Sequence, residues 1–158
     1  MLGVTSAFTT TSLGTDALTG VDLFISILPN QAFQANELLQ MSHFLADGGT
    51  VFFIGDQGFA TPIQNSNINA ALANLGSTIR MVPDTSFDAG SQTASGVQIA
   101  DTLFTAGISS FGYGAASELA VGDGTPLFLG LEGQPFAAFE ETIPTPEPST
   151  LLGMGALL

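Results

Sequence analysis

Short apolar runs alternate with amphipathic and polar stretches along this chain. Val21 to Leu28 (VDLFISIL) is a nearly continuous apolar run closed by Pro29 and Asn30. Such a run between turn residues predicts a strand buried on both faces. From about Ala35 to Asp47 the period becomes that of a helix. Ala35, Leu38, Leu39, Met41, Ser42, Leu45 and Ala46 share one broad face, and Asn36, Gln40, His43 and Asp47 share the other. Phe44 falls among the polar positions, and the pattern does not account for it. Gly48-Gly49 stops the helix, because glycine accepts the left-handed cap conformation. Thr50 to Ile54 (TVFFI) predicts a second buried strand, followed by the turn Gly55-Asp56-Gln57-Gly58.

A second helix is predicted from about Asn67 to Leu75, where Ile68, Ala71, Leu72 and Leu75 recur at helical spacing. Asn65 or Ser66 can cap its start and Gly76 closes it. Ser77 to Val82 (STIRMV) reads as a third strand, stopped by Pro83-Asp84. Strand, helix, strand, helix, strand with short connections is the pattern of a parallel α/β sheet. Residues 84–107 are polar and loop-like, with one short helix around Val97 to Phe104. Strands at 108–119, 127–131 and 135–141 suggest antiparallel additions to the sheet in the second half.

Composition changes the picture in one respect. Only 9% of residues are charged, against about 25% in an average soluble domain. Arg80 is the single cation among Lys and Arg, against 14 acids, and the net charge is −13. A nucleic-acid binder needs cations to displace phosphate counterions, so that class is excluded. Binding to anionic lipid by charge is excluded for the same reason. The 13 Phe oppose a disordered chain. A surface of Thr, Ser and Gly with almost no Lys fits an exported bacterial protein better than a cytoplasmic enzyme. The absence of Cys removes disulfides, thiolate metal sites and a Cys nucleophile.

After Glu141 the character shifts. Thr142 to Thr150 holds three prolines between Pro144 and Pro148, which predicts an extended spacer. Leu151 to Leu158 (LLGMGALL) is wholly apolar. Pro146-Glu147-Pro148 followed by this run resembles the PEP-CTERM sorting signal of Gram-negative bacteria. In that family the motif precedes one transmembrane helix and a basic cluster, and an exosortase-type membrane protease reads it. Carriers of the signal are linked to exopolysaccharide and the biofilm matrix. The resemblance implies export to the cell surface or extracellular matrix, with transient anchoring of a precursor in the inner membrane. Eight apolar residues are too few for a span, which takes about 20. The terminal basic cluster is missing and no signal peptide is visible. The chain therefore reads as a piece of a longer precursor, with membrane contact belonging to the missing part of the tail helix.

The stretch VDLFISILPN, then ANELLQMSHFLADGG, then TVFFIGD, is similar to class I glutamine-amidotransferase-like domains of flavodoxin-like topology. The resemblance covers roughly residues 20–82. It implies an α/β fold in which residues 1–141 form such a domain without its N-terminal part, 142–150 a spacer, and 151–158 the start of a truncated apolar helix. In that family the turn after the second strand carries a Cys. Here the turn is Gly55-Asp56-Gln57-Gly58, so amidotransferase chemistry is excluded and a non-catalytic relative is implied.

Asn30, Asp56, Gln57 and Asp84 each follow a predicted strand. In a parallel sheet all would lie at the carboxyl ends of the strands, where open α/β sheets bind ligands. Their carboxylates and amides would suit Ca²⁺ or sugar hydroxyls, although Asp, Asn and Gly also favour ordinary turns. His43 and Asp47 have the i, i+4 spacing of two metal ligands, but no third ligand is identifiable and a solvated polar helix face is the favoured reading. Arg80 is expected to pair with a carboxylate. The leading expectation is a non-catalytic exported surface or matrix protein. The alternative is a carbohydrate-binding or hydrolytic domain using carboxylates at the carboxyl edge of the sheet.

Overall fold

A computed structural model describes residues 12–141; the Pro146-Glu147-Pro148 motif and Leu151 to Leu158 lie outside the described residues. In chain order the elements are β1 (Leu23–Ile27), α1 (Ala35–Ala46), β2 (Thr50–Ile54), α2 (Pro62–Asn74), β3 (Arg80–Met81) and β4 (Gln92–Ser95). A 3₁₀ turn (Gly96–Gln98) follows, then β5 (Ser110–Tyr113), β6 (Leu119–Ala120), β7 (Thr125–Leu129) and β8 (Pro135–Phe139).

The first strand–helix–strand unit forms as the pattern predicts. β1 and β2 are parallel, in register from Leu23 against Thr50 to Ile27 against Ile54. Along both strands exposure alternates residue by residue, so the pair is covered on one face only. The inner face carries Phe24, Val51 and Phe53, packed with Leu45 and Phe33 around buried Met41, Leu13 and Leu75. Phe44 is explained by burial: its ring lies where a Cβ on Gly49 would stand, so the helix stop must be glycine. Glu37 is also buried. Its carboxylate accepts the N–H of Leu13 at 2.8 Å and of Gln34 at 2.7 Å, which fixes the chain entering α1.

The flavodoxin-like, amidotransferase-like parallel sheet is not formed. Among the described residues the sheets are one short parallel pair and three antiparallel pairs: β3 with β6, β4 with β5, and β7 with β8. The third predicted strand, 77–82, shrinks to two residues that pair antiparallel. The reason is where its backbone hydrogen bonds go, since buried N–H groups must find a partner somewhere. The N–H groups of Thr78 and Ile79 donate to the Glu140 carboxylate at 2.8 and 3.3 Å. The Met81 N–H donates to the side chain of Asn69 at 2.8 Å. With those donors engaged by side chains, a full ladder against β2 cannot form.

The antiparallel pairs are joined by aromatic packing. Phe111 stacks on Phe128 at 4.4 Å between centroids, Tyr113 stacks on Phe136 at 4.4 Å, and Phe128 and Phe136 lie 6.0 Å apart. This ties β5 to β7 and β8 where no shared ladder does so. Isolated bridges join Phe87 to Ala116 and Ile99 to Phe128 of β7. Among the described residues no helix is long and apolar enough to cross a membrane.

Gly58 is buried, and a Cβ there would stand 2.8 Å from the Asp84 nitrogen and 2.9 Å from the Thr85 nitrogen. Backbone cannot step aside as a flexible side chain can. Gly58→Ala is expected to lower stability in urea by about 1–3 kcal/mol; a change within 0.3 kcal/mol would mean that the two loops are not in contact.

Candidate functional site

Helix α2 sets the region after the carboxyl ends of β1 and β2. It begins at Pro62, with Thr61 as N-cap, five residues before the start that the apolar spacing predicts. Ile68, Ala71 and the C-cap Leu75 are buried as expected. The sequence does not announce that the helix also turns its amides inward. Asn65 is buried within the helix, so it is not a cap. Its Oδ1 accepts the Asp56 N–H at 3.3 Å and its Nδ2 donates to the Asp56 carbonyl at 2.7 Å. The buried Ser117 hydroxyl donates to the same carbonyl at 2.7 Å. Asn69 treats Met81 likewise, accepting from its N–H at 2.8 Å and donating to its carbonyl at 2.9 Å. Asn67 donates to the Pro29 carbonyl at 2.9 Å.

These bonds place the four residues singled out in the sequence. Asp56 and Gln57 lie on the loop between β2 and α2, and Asp84 lies on the loop after β3. The loops meet, because Gly58 donates to the Thr85 carbonyl at 2.9 Å. Asp84 is held with φ +56°, in the left-handed region that Asp tolerates. The Asp56 carboxylate accepts the Gln57 N–H at 2.7 Å, a local turn bond. Asn30 is engaged elsewhere, accepting from Gln64 Nε2 of α2 at 2.6 Å. Leu28, just before it, sits at φ +46° while its N–H still donates to the Ile54 carbonyl at 2.9 Å. For a leucine that backbone costs about 1–2 kcal/mol, and it turns the chain toward α2. The structure thus brings Asp56 and Gln57 beside the Asp84 loop and ties Asn30 to α2. Among the described residues no three His, Cys, Asp or Glu side chains gather closely enough to hold a metal ion.

Two further polar centres escaped the sequence reading. Partial burial pushes the Glu140 carboxyl upward, but hydrogen bonds from Ser77, Thr78 and Ile79 outweigh it and hold its pKa below the usual carboxylate range. Ser77 Oγ donates at 2.6 Å and Thr78 Oγ1 at 2.8 Å. Arg80 grips the same loop from its carbonyl side, donating to Ser77 at 2.7 Å and to Ile79 at 2.6 Å. The only arginine thus serves backbone carbonyls, where a carboxylate partner was expected. The second centre is Tyr113, whose hydroxyl donates to Asp88 at 2.5 Å; the same carboxylate oxygen accepts the Leu131 N–H at 2.8 Å. Gly130 lies close to this oxygen, where a Cβ would stand 2.7 Å away.

No protein-family model and no curated protein sequence matches the chain. A solved structure described as the mmIFT52 N-terminal domain is similar, with a TM-score of 0.68 and 18% identity over 85% of this chain and 70% of that one. At that identity the likeness concerns the fold alone.

Tyr113 is the only tyrosine and the chain has no tryptophan, so its ionisation can be read directly. Burial, then the bond to Asp88, then the Asp88 charge push its pKa up to about 12. The neutral phenol is the form that the fold favours. Its contribution to stability is therefore complete below the ordinary pKa of 10.0 and is lost as pH rises toward about 12. The tyrosinate absorbance of the native chain should titrate well above that of the urea-unfolded chain, and Asp88→Asn should narrow the gap. Coincident titrations would remove the Tyr113–Asp88 bond from the account.

Proposed function

We propose that the protein is an exported, non-catalytic surface or extracellular-matrix protein of a Gram-negative bacterium, sorted through its C-terminal tail and associated with exopolysaccharide. One observation carries the reading: Pro146-Glu147-Pro148 followed by the apolar run Leu151 to Leu158. The tail would be the substrate of an exosortase-type membrane protease, with the inner membrane holding the precursor only transiently. The domain supports a binding or structural role. Its buried polar side chains Glu37, Asn65, Ser77 and Ser117 all hydrogen-bond the backbone nearby, so they act as fasteners of the fold. The acidic, lysine-free surface agrees with life outside the cytoplasm.

A second reading is a carbohydrate-binding or hydrolytic domain working through Asp56, Gln57 and Asp84. It is favoured by the contact of their two loops at Gly58 and Thr85. In it, retention on immobilised exopolysaccharide would fall in an Asp56→Asn, Asp84→Asn double variant. In the first reading the same double variant would be retained like the parent.

The sorting claim is tested by expressing the chain behind a cleavable export signal and a tag, with the apolar run after Leu151 extended to a full span and closed by a basic cluster, in a Gram-negative host that carries an exosortase and in the same host lacking it. The expected outcome is a shortened, surface-exposed product only where the protease is present, lost in Glu147→Ala combined with Pro146→Ala. Processing that is indifferent to both the protease and the motif would contradict the proposal.

A further inference from the structure

The β1–β2 pair leaves one feature of the fold unaccounted for. Parallel sheets are ordinarily covered on both faces, because their strands carry apolar side chains in both directions. Here the inner face is covered by α1 and Leu75, and among the described residues the outer face has no such cover. Leu23, Ile25 and Ile27 of β1 and Phe52 and Ile54 of β2 point outward, with Ile27 61%, Phe52 48% and Ile25 46% exposed. They are neighbours across the ladder, Ile25 beside Phe52 and Ile27 beside Ile54, so the patch is continuous. No polar side chain interrupts it apart from Thr50 at its edge. Among the described residues β1 also has no strand on its other side.

The size and charge of the patch select its occupant. Five such side chains present an apolar surface on the order of 500 Å², near the upper limit for a monomer. A stable interface between two copies takes about 800 Å² from each partner. Pairing two copies would also bring two chains of net charge −13 together. A helix fits better. Strands of five residues run about 17 Å, which a helix of about eleven residues matches at about 1.5 Å per residue. The 12-residue α1 already packs against β2 on the inner face. The exposed acids Asp22 and Asp56 flank the two ends of the patch and favour cations on the incoming helix.

We infer that the outer face of the β1–β2 sheet docks one amphipathic helix of about three turns, with an apolar stripe and Lys or Arg flanks, contributed by a partner polypeptide. The helix lies along the strands and buries Ile25, Ile27 and Phe52, and its cations answer the acids at the ends. This completes the second cover that a parallel pair requires.

The probe is a synthetic 14-residue peptide with Leu at positions spaced i, i+3, i+4, i+7 and i+11 and Lys among the rest. Its controls are the same composition with the stripe scrambled and the same stripe with Glu replacing Lys. Binding to the full chain is read by fluorescence anisotropy, and hydrogen exchange locates the contact. The Lys-flanked striped peptide should bind at least tenfold more tightly than either control and should protect β1 and β2 amides. Ile25→Asp and Ile27→Asp, both at exposed positions and checked for native circular dichroism, should weaken it at least tenfold. Leu103→Ser, at an exposed leucine elsewhere, should not change it. Equal binding by the scrambled peptide, or by the Ile25→Asp chain, would overturn the proposal and leave only charge attraction. A dimer in sedimentation equilibrium that Ile25→Asp abolishes would overturn it in favour of a second copy.

Discussion

The arrangement depends on the inward-facing amides of α2. A primary amide carries one carbonyl and one N–H₂ group, so it can accept and donate side by side as a peptide group does. Asn65 uses both functions on Asp56, and Asn69 uses both on Met81. In each case a helix side chain takes the place of a neighbouring strand. Asn67 extends the series to the carbonyl of Pro29. One helix therefore fastens three chain segments, after β1, after β2 and at β3, that no common ladder connects. A net gain of about 0.5–1.5 kcal/mol per bond is modest, but leaving a buried peptide group without a partner costs about 1–3 kcal/mol. That asymmetry explains why a helix with so polar an inner side is retained.

The same constraint separates what was legible in the sequence from what was not. The run VDLFISIL, the helical spacing from Ala35 to Ala46 and the run TVFFI each carry their signal locally, and β1, α1 and β2 formed where expected. The STIRMV run carries an equally good local signal for a strand. Its fate is decided by Glu140, some sixty residues later, and by Asn69, which take the donors a parallel ladder would need. No periodicity reveals such a long-range theft of hydrogen bonds. The continuous runs also suggested burial on both faces, whereas β1 and β2 are covered on one.

The candidate site was legible in the same partial way. Asp56, Gln57 and Asp84 were chosen as residues after strands, and the first two do sit beside the Asp84 loop, although β3 pairs with β6 and not with β2. What brings them together is the missing side chain of Gly58 and the grip of Asn65 and Ser117 on Asp56. One signal could have pointed there: three asparagines at 65, 67 and 69 beside the buried Ile68, more than one helix cap needs. Glu37, Glu140 and Arg80 teach a similar lesson. In a chain so poor in charge, these three groups serve backbone atoms, while acids such as Asp22 and Asp56 stay on the surface. Exposed apolar side chains are also part of that surface, among them those on the outer face of β1–β2.

The central claim is that the α2 amides stand in for ladder partners, and amide hydrogen exchange at two positions tests it most directly. The N–H groups of Asp56 and Met81 should be protected in the parent chain. Asn65→Leu removes the acceptor of the Asp56 N–H together with the donor to its carbonyl, and Asn69→Leu does the same at Met81. The account predicts that Asn65→Leu lowers protection at Asp56 and its loop, that Asn69→Leu lowers it at Met81, and that Asn74→Leu on the exposed side of the helix leaves both unchanged. Undiminished protection at Asp56 and Met81 in the two inner variants would contradict it.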